Sequence, residues 1–338
     1  MARRVAKGQR IHGRAPGAQP IVAPLPRRRT VRTERAAKDR QTENSGATPQ
    51  ASASQAARSV FGACLALQEI ADDHERPLRL QLEHTAVVTR ALRGALLHHA
   101  TDPPPAALSG HAPDGPRLER PHAAFLAVPG LDTDAATGRI LGAAIVLPRG
   151  IAEEDLQAVL LATARWERRG VRLMLGRLGV MRLSRASDTS ESGPFASTRW
   201  VGPSHHWASV TPIALHHNPG NLASRDPAVT CRATQHAART VAEACEHIGL
   251  PQPAEVRILR RSRFAAAPPA RAFMPYPGRG SGFKRVCVHV ELRFAEPVAG
   301  PVLLGAGRYF GVGLCGAHMP ESEVPDSRAN LFPHPEAP

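Results

Sequence analysis

Near its end the chain runs Arg285-Val-Cys-Val-His-Val-Glu-Leu-Arg-Phe294, then Gly300-Pro-Val-Leu-Leu-Gly-Ala-Gly-Arg-Tyr-Phe-Gly-Val-Gly-Leu-Cys315. Alternation in the first run predicts a strand with one face buried, the longest of the chain, over 283–294. Five glycines set among apolar residues predict a loop in the second. Glycine takes positive φ and lets a backbone approach a partner closely. Successive exposed N–H groups in such a loop make an anion-binding concavity, to which Arg308 adds a fixed charge. The order strand, glycine loop, short strand excludes a Walker loop, which would carry Gly-Lys-Ser/Thr and open a helix. A dinucleotide fingerprint fails because no helix-forming run follows. What remains is a loop that grips a nucleic-acid backbone through Gly305, Gly307, Arg308, Tyr309, Gly311 and Gly313. Tyr309 and Phe310 offer rings for base stacking, with packing the equal alternative.

The strand preceding that loop belongs to a pattern that occurs twice. In the first half, Thr85–His98 places Val87, Val88, Ala91, Leu92, Ala95 and Leu96 at helical spacing. Two β-like runs follow, 121–128 and 139–147, then an amphipathic helix over 152–168 whose Glu153, Glu154 and Asp155 suit its positive end. A hairpin over 171–183 pivots on Gly176 or Gly179. Val60–Ile70 is expected to be a short helix. In the second half, 207–215 is a strand interrupted by Pro212, hence an edge or a bulge. A helix over 227–248 stops at Gly249, and 255–259 is a short strand. Helices alternating with antiparallel strand pairs predict an α+β fold of two tandem ferredoxin-like (RRM-like) domains, at 59–195 and 196–320.

Charge separates the tail from the folded part. Net charge is +14 and the pI about 11, a prior for a polyanionic partner. Residues 1–58 hold 13 Lys and Arg against 3 Asp and Glu. They bury too little apolar surface to fold and are expected to be a disordered basic tail; 321–338 is expected to be disordered as well. Arg far outnumbers Lys, which a GC-rich genome explains as well as phosphate binding does. Five scattered cysteines without CxxC spacing suit a reducing cytoplasm. No apolar run is long enough to span a membrane, and the basic N-terminus lacks the apolar core of a secretory signal.

Among sixteen histidines, His111 stands out in Ser109-Gly-His-Ala-Pro-Asp-Gly115, with Arg117 and Arg120 close behind. An imidazole there is suited to moving a proton during phosphodiester cleavage; an ordinary surface histidine is the alternative. His122 is expected to pack or bond at a strand edge. His205-His206 and His216-His217 cannot chelate as pairs on a strand, because neighbours point to opposite faces. Neither HExxH nor a Cys/His quartet is present, so no metal and no cofactor is expected. GxSxG is missing, which removes a serine-elbow hydrolase. The close pair Asp132 and Asp134 is accounted for by a turn, and Trp207 by the core.

The glycine loop resembles the C-terminal glycine-rich loop of the RAMP (repeat-associated mysterious protein) superfamily of CRISPR RNA-binding and RNA-processing proteins. Further stretches resemble one branch, the type I-G (formerly I-U) fusion of a "Cas five" part with a "Cas six" part. They are Ser109–Gly115, Arg120–Pro129, Gly138–Pro148, Trp207–Pro212 and Leu292–Gly305, in order over about residues 76–316. The resemblance implies a Cas-six-type endoribonuclease of two ferredoxin-like domains that cuts repeat RNA in the CRISPR precursor transcript without a metal. A base deprotonates the 2′-hydroxyl beside the scissile phosphate; the oxygen attacks in line and expels the 5′-oxygen, leaving a 2′,3′-cyclic phosphate and a 5′-hydroxyl. The family's catalytic histidine commonly follows the first domain's helix, which corresponds to His111. Arg117 or Arg120 would stabilise the phosphorane. Implied partners are CRISPR repeat RNA, its crRNA product and other subunits of a type I-G interference complex. Residues 1–58 do not resemble the Cas-five-type domain, so the expectation is a truncated or split gene product. Two further alternatives are a non-catalytic crRNA-binding subunit and a product unstable without its missing domain.

Overall fold

A computed structural model describes residues 56–70, 77–112, 115–131, 138–186, 197–273 and 284–318. Residues 1–55 of the tail expected at 1–58, the tail at 321–338, the Asp132–Asp134 turn and the second half of the connector expected at 265–282 lie outside them. In the first half the elements are β1 (Ala57–Arg58), β2 (Phe61–Glu69), α1 (Thr85–His99), α2 (Ala106–Ser109), β3 (Ala124–Pro129), β4 (Ile140–Pro148), α3 (Glu153–Glu167), β5 (Arg172–Met174) and β6 (Val180–Arg185). The second half has α4 (Ser197–Val201), β7 (Pro203–Ser209), β8 (Ile213–Ala214), α5 (Pro227–Glu246), β9 (Glu255–Leu259), β10 (Cys287–Ala299), β11 (Val302–Leu303) and β12 (Leu314–Ala317).

Helical periodicity produces α1, which buries Val88, Leu92 and Leu96, and α3, which buries Val159, Ala162 and Trp166. Helix α5 starts where Asp226 caps it, accepting from the Ala228 amide at 2.8 Å, with Pro227 in the first turn. The first sheet has the order β3-β4-β2-β6-β5, every neighbour antiparallel. With β2, β3, β4 and β6 as the four strands of a βαββαβ unit, this is the ferredoxin-like order. In the second half β9, β10, β7 and β12 lie side by side in the same order. The fold is α+β, with two sheets.

Two expectations are corrected. Val60–Ile70 is β2, not a helix: Ala, Leu and Gln favour helix weakly, but the segment fills the slot between β4 and β6 and buries Phe61 and Leu67. Strand β7 is central, lying between β10 and β12. It ends at Ser209, so Pro212 falls in the gap before β8 and removes no ladder bond. In addition, Ala57–Arg58, expected in the tail, pairs in parallel with Val298–Ala299.

Strands β3 and β4 are buried along nearly their whole length because both faces of the first sheet are covered. Phe125, Ala127, Ala143 and Ile145 pack with α1 and α3. Ala124, Leu126, Val128, Ala144 and Val146 share a core with α5 and with Trp207, Val290 and Leu292 of the second sheet. The described residues fall within one compact unit, Ala53–Pro338. Among them, no helix is long and apolar enough to cross a membrane.

Candidate functional site

The glycine loop joins β10 to β12, the connection that corresponds to α3 in the first half. It is folded in on itself. Leu304 N–H donates to Gly313 O (2.9 Å), Ala306 N–H to Ala214 O (2.9 Å) and Phe310 N–H to Gly307 O (2.9 Å). The amides of Gly313 and Leu314 both donate to Thr211 Oγ1 (3.0 and 2.9 Å), whose hydroxyl donates to Gly311 O (2.8 Å). These amides are therefore committed, and the expected concavity of open N–H groups is reduced: the loop presents side chains. Gly305, Gly307, Gly311 and Gly313 are buried, while Arg308, Tyr309 and Phe310 are half-buried.

Gly311 explains how the loop seats on the first half. At φ +69° it favours glycine, and a Cβ there would lie 3.1 Å from Phe125 O and from the Thr85 and Thr89 methyls. Thr89 Oγ1 donates to Phe310 O at 3.0 Å. Helix α1 repeats every 3.6 residues, so Thr85, Thr89 and Arg93 lie one above another facing the loop. The Arg93 guanidinium lies 6.0 Å from the Phe310 ring centre. On the other side, Tyr309 stacks on His122 (centroids 3.6 Å apart, planes 19° apart), meets the edge of Phe61 at 6.1 Å and carries Arg308 at 4.7 Å over its ring. Arg308 Nη1 also donates to Gly305 O (3.1 Å), which fixes the guanidinium.

His111 lies beside this assembly. A Cβ on Gly110 would collide with the His122 ring, so the His111 loop and His122 are in contact. His111 is exposed, and its Nδ1 is 3.0 Å from Ser109 O. A carbonyl only accepts, so Nδ1 carries the proton and, in the neutral ring, Nε2 keeps its lone pair. Arg117 pairs across from His111 in a single antiparallel bridge. Arg120 is pulled to α3, where it pairs with Asp155 at 3.1 Å. The structure thus brings together His111, Arg117 and the Arg308–Tyr309 turn, and leaves Arg120 with a carboxylate partner.

Electrostatics mark the same region. Burial pushes His122 down to about 4, with repulsion from Arg308, Arg93 and His111 adding to it, against a raising contribution from the Arg120 backbone. Burial likewise pushes His216 down to about 4, aided by Arg308, His247, Arg285 and His217. No described carboxylate acts on either ring. Arg308 therefore stands between Arg93 on one flank and Arg285 on the other, a concentration of positive potential suited to a polyanion. Half-buried stacked rings beside cations suit bases and phosphates together. His122, expected merely to pack at a strand edge, is stacked within the site. Arg93 and His216 carried no sequence signal linking them to the loop. Among the described residues, no three His, Cys, Asp or Glu side chains gather at metal-binding spacing.

Residues 63–317 match the model of the CRISPR-associated protein, GSU0054 family. The chain belongs to that family. Its role is CRISPR-related, and a family member of this kind is expected to bind CRISPR RNA and to work within a CRISPR complex. No curated protein and no solved structure matches the chain.

Proposed function

We propose that this GSU0054-family protein processes CRISPR precursor RNA by metal-independent cleavage within the repeat, as a type I-G protein related to the Cas-six endoribonucleases. The observation carrying this reading is the His111 ring. It is exposed, held by the Ser109 carbonyl in the tautomer that leaves Nε2 unprotonated, and set beside the Arg308–Tyr309 turn. His111 Nε2 takes the proton from the 2′-hydroxyl; the freed oxygen attacks the adjacent phosphorus, the P–O5′ bond breaks, and the departing 5′-oxygen takes a proton from water to become the 5′-hydroxyl. Arg117, opposite His111, offsets the charge gathering on the phosphorane. Arg120, paired with Asp155, contributes less than the sequence suggested. Tyr309 and Arg308 hold the flanking nucleotides, and Arg285 extends the cationic track. The Gly305, Gly307, Gly311 and Gly313 backbone shapes the turn.

The test is cleavage of the cognate repeat RNA in EDTA. The expected products carry a 2′,3′-cyclic phosphate and a 5′-hydroxyl, and a 2′-deoxy substitution at the scissile nucleotide stops the reaction. His111→Ala is expected to slow cleavage about 10²–10⁴-fold with RNA affinity retained. Cutting that requires a divalent ion overturns the mechanism. Tight binding with no turnover in wild type and variant alike favours the alternative, a crRNA-binding subunit without catalysis.

A further inference from the structure

Arg93 reaches across the site to the same acceptor as His111. Its Nη2 donates to Ser109 O at 2.6 Å, while His111 Nδ1 approaches that oxygen at 3.0 Å. A carbonyl oxygen has two lone pairs and accommodates both donors. Ser109 ends the single turn of α2 and is followed by Gly110 at φ +70°. Within its own turn the carbonyl's peptide unit is held by the Gly110 amide, which donates to Ala106 O at 2.9 Å, and Arg93 ties that turn to α1. Arg93 is half-buried, so its bond is less exposed to competition from water than a surface contact. The same guanidinium faces Phe310, and Thr89, one turn earlier on α1, holds Phe310 O.

We propose that Arg93 is a positioning residue, fixing the Ser109 carbonyl that sets the tautomer and direction of the His111 ring and tying that ring to the glycine loop through one face of α1. This rests on the reading of His111 as the base. Without Arg93 the α2 turn that carries the carbonyl loses this tie to α1, and the approach of the carbonyl to His111 Nδ1 loosens with it. Thr89 and Thr85 seat the loop whether or not Arg93 is present, so RNA affinity and base orientation are separable.

The experiment compares wild type, Arg93→Gln, Arg93→Lys and Thr89→Val by ¹⁵N NMR of the His111 ring, without RNA, and by single-turnover cleavage of repeat RNA. Wild type is expected to show the Nδ1-protonated form. Arg93→Gln is expected to shift the ring toward the Nε2-protonated form and to cut the rate at saturating RNA by about tenfold to a hundredfold, the scale of one charge-assisted hydrogen bond. Its RNA concentration dependence should change less than threefold. Arg93→Lys, which still donates to Ser109 O, is expected to restore much of both signals. Thr89→Val should weaken RNA binding and leave the His111 spectrum unchanged. An unchanged His111 spectrum in Arg93→Gln overturns the positioning role. An altered spectrum in a protein whose wild type never cleaves upholds the link between Arg93 and the ring and removes only the catalytic reading of His111.

Discussion

The two halves follow one strand order and cover their sheets differently. The first sheet carries two helices, α1 and α3, on one face. The second carries one long helix, α5, with the short α4 packed against β12; the glycine loop stands where a second long helix would, and the first sheet's other face supplies further cover. With a loop in that place, the second half depends on its neighbour for cover. The loop is also a short, cationic connection that lies against α1 beside the His111 loop. The site exists because one half is incomplete.

The comparison breaks first at Gly313. Its φ is +102°, and a Cβ there would run into the Leu304 backbone inside the loop. Gly313→Ala is expected to cost roughly 3 kcal/mol or more, read as a loss of cooperative thermal unfolding; a variant melting within a few degrees of wild type would show that the loop does not brace the second sheet.

Next is the shared core. Leu126→Ala empties a position in the core that the first sheet shares with α5 and the second sheet, and should destabilise by about 2–5 kcal/mol. Hydrogen exchange should then rise together in α3 and α5, although Leu126 touches only one of the two cores. Protection retained in α3 alone would mean that the halves unfold separately.

A further effect lies in the second half. His289 is fully buried, its Nε2 at 3.0 Å from Pro268 O and its Nδ1 at 3.0 Å from Ser209 Oγ. Pro268 O only accepts, so Nε2 donates and Nδ1 accepts from the serine hydroxyl. Burial holds the ring at about 4, against a raising effect of those bonds. Above pH 6.5 neither state takes the proton and the full stability is present. As pH falls from 6.5 to 4 the unfolded chain binds a proton that the folded one refuses, and stability drops by roughly 3 kcal/mol. Urea titrations across that window should show the fall, and His289→Gln should remove that part of it.

Local patterns made much of this legible. The helices α1, α3 and α5 and the strands β3, β4, β9 and β10 follow from periodicity and stop signals, and β3 and β4 are apolar on both faces because both are covered. Strand β2 was not legible, since pairing on both sides overrides the weak helix preference of Ala, Leu and Gln. The central place of β7 was hidden because its partners come from the far end of the chain. At the site, His111 and Arg308 stand out through neighbouring residues. Arg93, His122 and Thr89 do not: Phe310, which Thr89 holds, lies more than two hundred positions away, and no local pattern encodes that contact. The amide concavity is reduced for a related reason, because Thr211 and Ala214, outside the loop, take up the Gly313, Leu314 and Ala306 amides.

Strands β1 and β2 are neighbours in sequence but belong to different sheets, and Ala57 waits for Val298. A ribosome must therefore make almost the whole folded part before this closure is possible. Until β10 emerges, the outer faces of β3 and β4 lack the cover that Val290 and Leu292 supply. Pairings over such separations form slowly and leave sticky intermediates, so a nascent chain paused before residue 287 is the species most in need of a chaperone.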